Sequence, residues 1–153
     1  MKIRPTKSTD IPALQLVLDG TELFPREMLP DMLAAFLSDE KSEDVWLTCE
    51  NEGEAIGFCY AAPEALTEGT WNMLAIAVIP EKQHIGVGSA MIKHLEDALR
   101  ADGHRVLIAD TSSTEEFSNT RSFYRNNCYT EEARIRNFWT EGDDKITFWK
   151  SLN

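Results

Sequence analysis

At 153 residues, with 42% hydrophobic and 27% charged residues, the chain has the size and composition of one globular domain, residues 1–153, with a sizeable core. Fifteen basic against 26 acidic residues give a formal net charge of −11, which argues against nucleic acid or an anionic membrane as a partner. That acidity has two readings: solubility alone, or a surface that favours a cationic substrate such as an amine.

Cys49, Cys59 and Cys128 are odd in number, lack C-x-x-C spacing and fall in or beside apolar segments, so buried free thiols are expected. No clustered Cys/His set points to zinc, and no metal is expected. The start, MKIRPTKSTD, does not read as a signal peptide, and no apolar run is long enough for a membrane span. A soluble protein of the reducing cytoplasm is the expectation.

In chain order, Lys2 to Arg4 reads as a short strand stopped by Pro5. Ser8, Thr9 and Asp10 offer helix caps, and Ile11, Leu14, Leu16, Val17 and Leu18 give a first helix ending at Gly20. Pro25 starts a second, with Met28, Leu29, Met32, Leu33, Phe36 and Leu37 at helical spacing as core or as a lid over a pocket. Asp39 to Asp44 is an acidic loop. Val45 to Cys49 and Ala55 to Tyr60 are strands joined through Glu50-Asn51-Glu52-Gly53 as a hairpin. Pro63 to Gly69 is a loop before a strand opening at Trp71.

Beyond Gly88, a helix presents Val87, Met91, His94, Leu95, Ala98 and Leu99 on one face and stops near Gly103. His94 on that face reads as a packed residue rather than a ligand. Arg105 to Asp110 is a buried strand, and strand–helix–strand within about forty residues predicts a parallel pair with a right-handed crossover. A helix over Glu115 to Asn127 carries Phe117, Arg121 and Tyr124 along one side. Strands near Glu131 to Trp139 and Lys145 to Trp149 close the chain around the turn Glu141 to Asp144.

The most informative stretch is Asn72 to Ser89. A nearly uncharged strand ends at Pro80, which has no N–H for a ladder. Lys82, Gln83 and His84 follow, and Ile85-Gly86-Val87-Gly88 opens a helix. Glycines let a ligand approach the backbone, and the first N–H groups of a helix lack internal partners, so an anionic phosphate fits there. The alternative is that the glycines only shape a strand-to-helix turn. A P-loop requires a Lys after the second Gly, and a dinucleotide fingerprint requires a small residue where Met91 stands; neither pattern is met.

Val78-Ile79-Pro80 followed by Gln83-His84-Ile85-Gly86-Val87-Gly88 resembles the cofactor motif of the GNAT superfamily of N-acetyltransferases, Q/R-x-x-G-x-G/A after a V-x-P strand end. The order of elements resembles that family's over nearly the whole chain. The resemblance implies a mixed α+β fold, a mostly antiparallel sheet of about seven strands with about four helices. It also implies splayed parallel strands 4 and 5, with acetyl-CoA as cosubstrate between them. On that reading the backbone at Ile76, Ala77 and Val78 holds the pantetheine arm and polarises the acetyl carbonyl. Gln83, His84, Ile85, Gly86, Val87, Gly88 and Ser89 cradle the pyrophosphate.

Tyr124, in Ser122-Phe123-Tyr124-Arg125, stands where the family carries its general acid. A phenol of pKa about 10 is protonated at neutral pH and can donate to a departing thiolate. A tyrosine packed on Phe117 is the alternative. Asp110, at a strand end, is either the base facing the acceptor amine or a cap for Thr111-Ser112-Ser113; Glu68 and Asn72 are weaker candidates, and a water chain without a single base is another route. Relatives often place an asparagine seven residues before the tyrosine, where this chain has Phe117, and Asn119 faces another side of the helix. Thr120 and Arg121 are therefore the expected cofactor contacts on that helix. The function implied is transfer of acetyl to a primary amine of a small molecule or peptide. A CoA-binding regulatory domain without turnover is the alternative. Trp139 and Trp149 suit either a pocket or a homodimer interface.

Overall fold

The computed structural model describes residues 1–38 and 41–153, so the first two residues of the expected acidic loop, Asp39 and Glu40, lie outside the described residues. The chain folds as strand β1 (Lys2–Pro5), helices α1 (Ile11–Thr21) and α2 (Leu29–Leu37), and strands β2 (Val45–Asn51), β3 (Glu54–Pro63) and β4 (Thr70–Val78). Helix α3 (Val87–Ala101), strand β5 (Val106–Ser112), helix α4 (Ser118–Asn126) and strands β6 (Thr130–Thr140) and β7 (Asp143–Ser151) complete it. The seven strands form one sheet in the order β1-β2-β3-β4-β5-β7-β6. Parallel pairing joins Thr70–Asn72 of β4 to Val106–Ile108 of β5, whereas β1–β2, β2–β3, β5–β7 and β6–β7 are antiparallel. The mixed, mostly antiparallel seven-stranded sheet and its four helices are those anticipated.

Two compact units are distinguishable: Met1–Ala62 with Leu74–Asp97, and Pro63–Met73 with Ala98–Asn153. In the first, Leu14, Val17 and Leu18 of α1 and Leu29 and Leu33 of α2 bury against Trp46, Phe58, Ala75 and Ala77. Trp46 stacks on Tyr60 at 4.2 Å between ring centroids and on Phe58 at 5.8 Å. Each of the buried Leu, Val and Phe side chains contributes about 1.5–3 kcal/mol by leaving water. In the second unit, Leu107 and Ala109 of β5 and Ile146 and Phe148 of β7 are buried, with Tyr124 and Tyr129.

Several expectations shift. The first helix runs through Gly20 to Thr21 and is capped by left-handed Glu22; a Cβ on Gly20 would lie 2.8 Å from Cδ of Pro80, so this glycine serves close packing rather than helix termination. Leu16, expected on the apolar face, is exposed because Leu14, Val17 and Leu18 already define that face. Pro25 and Arg26–Met28 form a 3-10 turn ahead of α2, and Glu115–Phe117 form one ahead of α4. On α3 the buried stripe is Val87, Met91, Ile92, Leu95, Glu96 and Leu99, while His94 and Ala98 are exposed. The stripe is turned toward Ile92, so His94 is neither a packed residue nor part of a ligand set. Cys49 and Cys59 are buried, but Cys128 is exposed, in left-handed conformation past the end of α4. Burial pushes the Cys59 thiol up to about 12, which keeps it protonated and inert.

Gly57 of β3 faces the end of β4. An added Cβ would sit 2.7 Å from the Ala77 carbonyl oxygen and 3.3 Å from Cε of Met91. Backbone cannot yield as a side-chain tip can, so Gly57→Ala is expected to lose about 1–3 kcal/mol of stability, measured by urea unfolding. An unchanged midpoint would show that β4 shifts freely.

Candidate active site

The first unit carries the glycine turn. After β4 ends at Val78, Pro80–Lys82 form a 3-10 turn and the Gln83 side chain folds back, its Nε2 donating to the Val78 carbonyl at 2.9 Å. That bond ties the turn to the strand end, so Gln83 anchors the loop through its amide. His84 and Gly86 have φ of 64° and 92°, and nothing lies within 4 Å of a Cβ built on Gly86. A positive φ beside open space is what a loop needs for its amides to face a ligand at close range.

Helix α3 then begins, and its first internal bond is Ala90 N–H to the Gly86 carbonyl, 3.0 Å. The amides of Val87, Gly88 and Ser89 precede it in the first turn, where helix geometry supplies no partner and the macrodipole favours an anion. His84, Ile85, Gly86 and Ser89 are exposed, and Val87 anchors the turn in the core. On β4, Ala77 and Val78 are buried and Ile76 is half-buried. These residues fit a pyrophosphate by donor chemistry and by space.

The second unit carries the titratable groups. Asp110, on β5, accepts from Thr147 Oγ1 at 2.6 Å and from Asn72 Nδ2 at 3.4 Å, with Lys145 Nζ at 3.9 Å. All three reach it from neighbouring strands. It does not cap Thr111–Ser113; Asp143 does, accepting from Ser112 Oγ at 2.5 Å and from the Ser113 N–H at 3.3 Å. The cap is taken because the β7 hairpin brings Asp143 to that loop.

Asn72 bridges two carboxylates, since its Nδ2 also donates to Glu64 Oε1 at 2.8 Å. Both partners accept, so the amide orientation is set, and Oδ1 is left buried without a hydrogen bond among the described residues. Glu64 was not singled out from sequence, because no local spacing links it to Asn72. The loop closes back on itself through Glu64 N–H to the Thr70 carbonyl, 2.9 Å, and so brings the two together. Glu68 is exposed and contributes its carbonyl to Arg105 Nε at 2.7 Å, which leaves it outside this group.

Tyr124 is buried on α4. Its ring stacks on Phe148 at 5.2 Å and meets Phe123 and Tyr129 edge-on. Phe117 caps the start of α4, Asn119 is exposed, and Thr120 is half-buried. Arg121 Nη1 donates to the carbonyls of Ser112 at 2.8 Å and Thr114 at 2.7 Å, so this arginine fastens α4 to the end of β5. Trp139 Nε1 donates to the Thr111 carbonyl at 3.3 Å, and Lys145 Nζ lies 4.2 Å from the Phe138 ring centroid. Two aromatic rings of β6 thus contact the residue after Asp110 and the lysine beside it. Among the described residues there is no group of His, Cys, Asp or Glu able to hold a metal ion, and no helix is long and apolar enough to cross a membrane.

Seven strands in this order, with a parallel pair at the centre and a glycine turn leading into α3, define a mixed α+β fold with an anion-binding turn at a helix entry. A profile of the Acetyltransferase (GNAT) family matches residues 12–128, and the chain belongs to that family. Among solved structures it is similar to a GNAT-family protein from Desulfovibrio desulfuricans, with 26% identity, TM-score 0.87 and 99% of each chain covered. It shares its fold with the ribosomal-protein-S18-alanine N-acetyltransferase of Escherichia coli, at 19% identity and TM-score 0.79, covering 99% of this chain and 94% of that one. An aminoglycoside 6'-N-acetyltransferase complexed with coenzyme A has the same fold at 16% identity and TM-score 0.77, covering 100% of this chain and 98% of that one.

Proposed function

We propose that the chain is a cytoplasmic, acetyl-CoA-dependent N-acetyltransferase that moves an acetyl group directly to a primary amine of a small molecule or peptide. The observation that carries the reading is Gly86, left-handed with open space beside it, one residue before α3. A coenzyme A complex in a protein of the same fold supports the cosubstrate, and free, buried Cys49 and Cys59 support a reducing compartment. Acetyl-CoA supplies the activated thioester and a pyrophosphate.

The amides of Gly86 to Ser89 bind the pyrophosphate, with His84 at the rim. The backbone of Ile76, Ala77 and Val78 holds the pantetheine arm and donates to the thioester oxygen as charge develops on it. Asp110, held by Thr147, takes the proton that the acceptor nitrogen must lose before or during attack. Tyr124 gives a proton to the departing sulfur, and solvent resets both groups. Glu64 and Asp110 on either side of Asn72 favour a cationic acceptor, in keeping with a net charge of −11. The aminoglycoside and ribosomal-protein enzymes of the same fold act on amines, which supports the substrate class.

The test is release of free thiol from acetyl-CoA in the presence of a panel of small and peptide amines, read together with thermal shift. Thiol release that requires both substrates is expected. CoA at a hundred times its Kd should stabilise the fold by about 2.7 kcal/mol. A CoA-dependent shift with no transfer to any amine would instead support a CoA-binding domain without turnover, the reading that Phe117 at the usual asparagine position favours. No shift at all would remove both.

A further inference from the structure

Glu64 and Asp110 share one amide, that of Asn72, yet the two carboxylates are not equally committed. A carboxylate offers about four lone-pair positions. One oxygen of Asp110 accepts from Thr147 Oγ1 at 2.6 Å; the other takes Asn72 Nδ2 at 3.4 Å and faces Lys145 Nζ at 3.9 Å. Glu64 accepts from Asn72 at 2.8 Å on Oε1, and its Oε2 accepts nothing among the described residues. Its charge is also unanswered. Lys145 stands beside Asp110, whereas no Lys, Arg or His among the described residues pairs with Glu64.

Glu64 is nonetheless held in place. Its N–H donates to the Thr70 carbonyl at 2.9 Å, and its own carbonyl accepts from Thr67 Oγ1 at 2.8 Å. The backbone is thus tied at this residue, while residues 65–68 beyond it are exposed. Asn72 steadies the side chain. That asparagine is 7% exposed, and its Oδ1 is buried without a hydrogen bond among the described residues. An unmet buried acceptor costs free energy, and turning the amide over would set that oxygen against both carboxylates. The orientation kept is the one that aims N–H groups at Glu64 and Asp110 together. A half-buried carboxylate without a cation is a second cost that packing does not require. A bound cation removes it.

We propose that Glu64 is the residue that anchors the acceptor in its ammonium form, before Asp110 takes the proton. The inference rests on the reading of the chain as an N-acetyltransferase. In that step an N–H bond of the ammonium breaks, an O–H bond forms on Asp110, and the neutral amine is left to attack the thioester. The site therefore selects a protonated amine over an uncharged one. The test compares wild type with Glu64→Gln, whose amide oxygen still accepts from Asn72, so that only the charge is removed. The substrate is the panel amine with the fastest thiol release. Two competitors are titrated against it: ethylamine, a cation at neutral pH, and trifluoroethylamine, largely uncharged there.

Ethylamine should be the stronger inhibitor of wild type, and Glu64→Gln should weaken it by about 10–100-fold, the effect of losing a hydrogen bond to a charged group. Inhibition by trifluoroethylamine should hardly change. KM for the substrate amine should rise while kcat stays within about threefold, which also shows that the variant is folded. Equal weakening of both competitors overturns the inference, since Glu64 would then act through shape. So does a fall in kcat at unchanged KM, which would place Glu64 in the proton path instead. Thiol release with no amine at all would remove the acetyltransferase reading and this inference with it, an outcome distinct from the other two.

Discussion

Tyr124→Phe is expected to lower kcat for acetyl transfer by about 10²–10⁴-fold, the usual contribution of a positioned general acid. KM for acetyl-CoA should hardly change, because the ring remains to stack on Phe148 while only the hydroxyl is removed. The same packing keeps the variant folded: Tyr124 lies between Phe123, Tyr129 and Phe148, and a phenyl ring fills that place. Tyr124→Ala would confuse the two effects, since deleting a buried aromatic costs about 3–5 kcal/mol. Single-turnover kinetics with the acceptor giving the fastest thiol release make the measurement. A kcat within twofold of wild type would remove Tyr124 from the proton path and leave the leaving group to water.

The second large effect concerns stability and belongs to the first unit. Arg4 holds Asp10 with two bonds of 2.8 Å and Glu50 with one of 2.7 Å, and the side chains of Arg4 and Asp10 are only 12% and 8% exposed. Asp10 also receives the Lys7 N–H at 2.8 Å, which fixes the entry to α1. Burial pushes the Asp10 carboxyl up, but the Arg4 and Lys7 hydrogen bonds outweigh it and hold the group below its ordinary value. Arg4→Met leaves Asp10 enclosed without its cation and should cost about 2–3 kcal/mol, less than a fully buried pair because these side chains keep some exposure.

The pH dependence follows from the sign of that shift. A carboxyl with a depressed folded-state pKa contributes stability that is complete above its unfolded value of about 3.9 and is lost as pH falls through the lower folded value. Urea unfolding of wild type and Arg4→Met should therefore differ most at neutral pH, and the gap should close below about pH 4. A gap that stays constant to pH 3 would mean that Arg4 acts by packing its stem rather than by its charge.

Much of this was legible in the sequence where a local pattern carries the physics. Pro80 ends a strand wherever a strand reaches it, and Gly86 followed by an amphipathic stretch defines a helix entry. The β4–α3–β5 unit follows from those two signals and the apolar run within Arg105 to Asp110. What was not legible depends on chain segments that meet only after folding. Asp110 was read as a possible cap of its own loop because sequence shows the loop; Asp143 takes that role because a hairpin thirty-odd residues on brings it there. Glu64 meets Asn72 for the same reason. His94 differs from expectation by helical phase: apolar Ala98 and Leu95 fit two helical stripes, and only packing selects the one that includes Ile92 and Glu96.

The Arg121 clamp bears on how the molecule opens. Helix α4 has nine residues, too few to persist in water on its own. Both carbonyls that Arg121 Nη1 reaches belong to the chain entering that helix, one of them at the last residue of β5. Helix and strand end therefore share one opening event, and Tyr124 sits in a cooperative unit with β5 and β7 rather than on a helix free to fray. The hydroxyl proposed to meet a departing sulfur is thereby carried on a helix fastened to a strand end, so its position is inherited from the sheet.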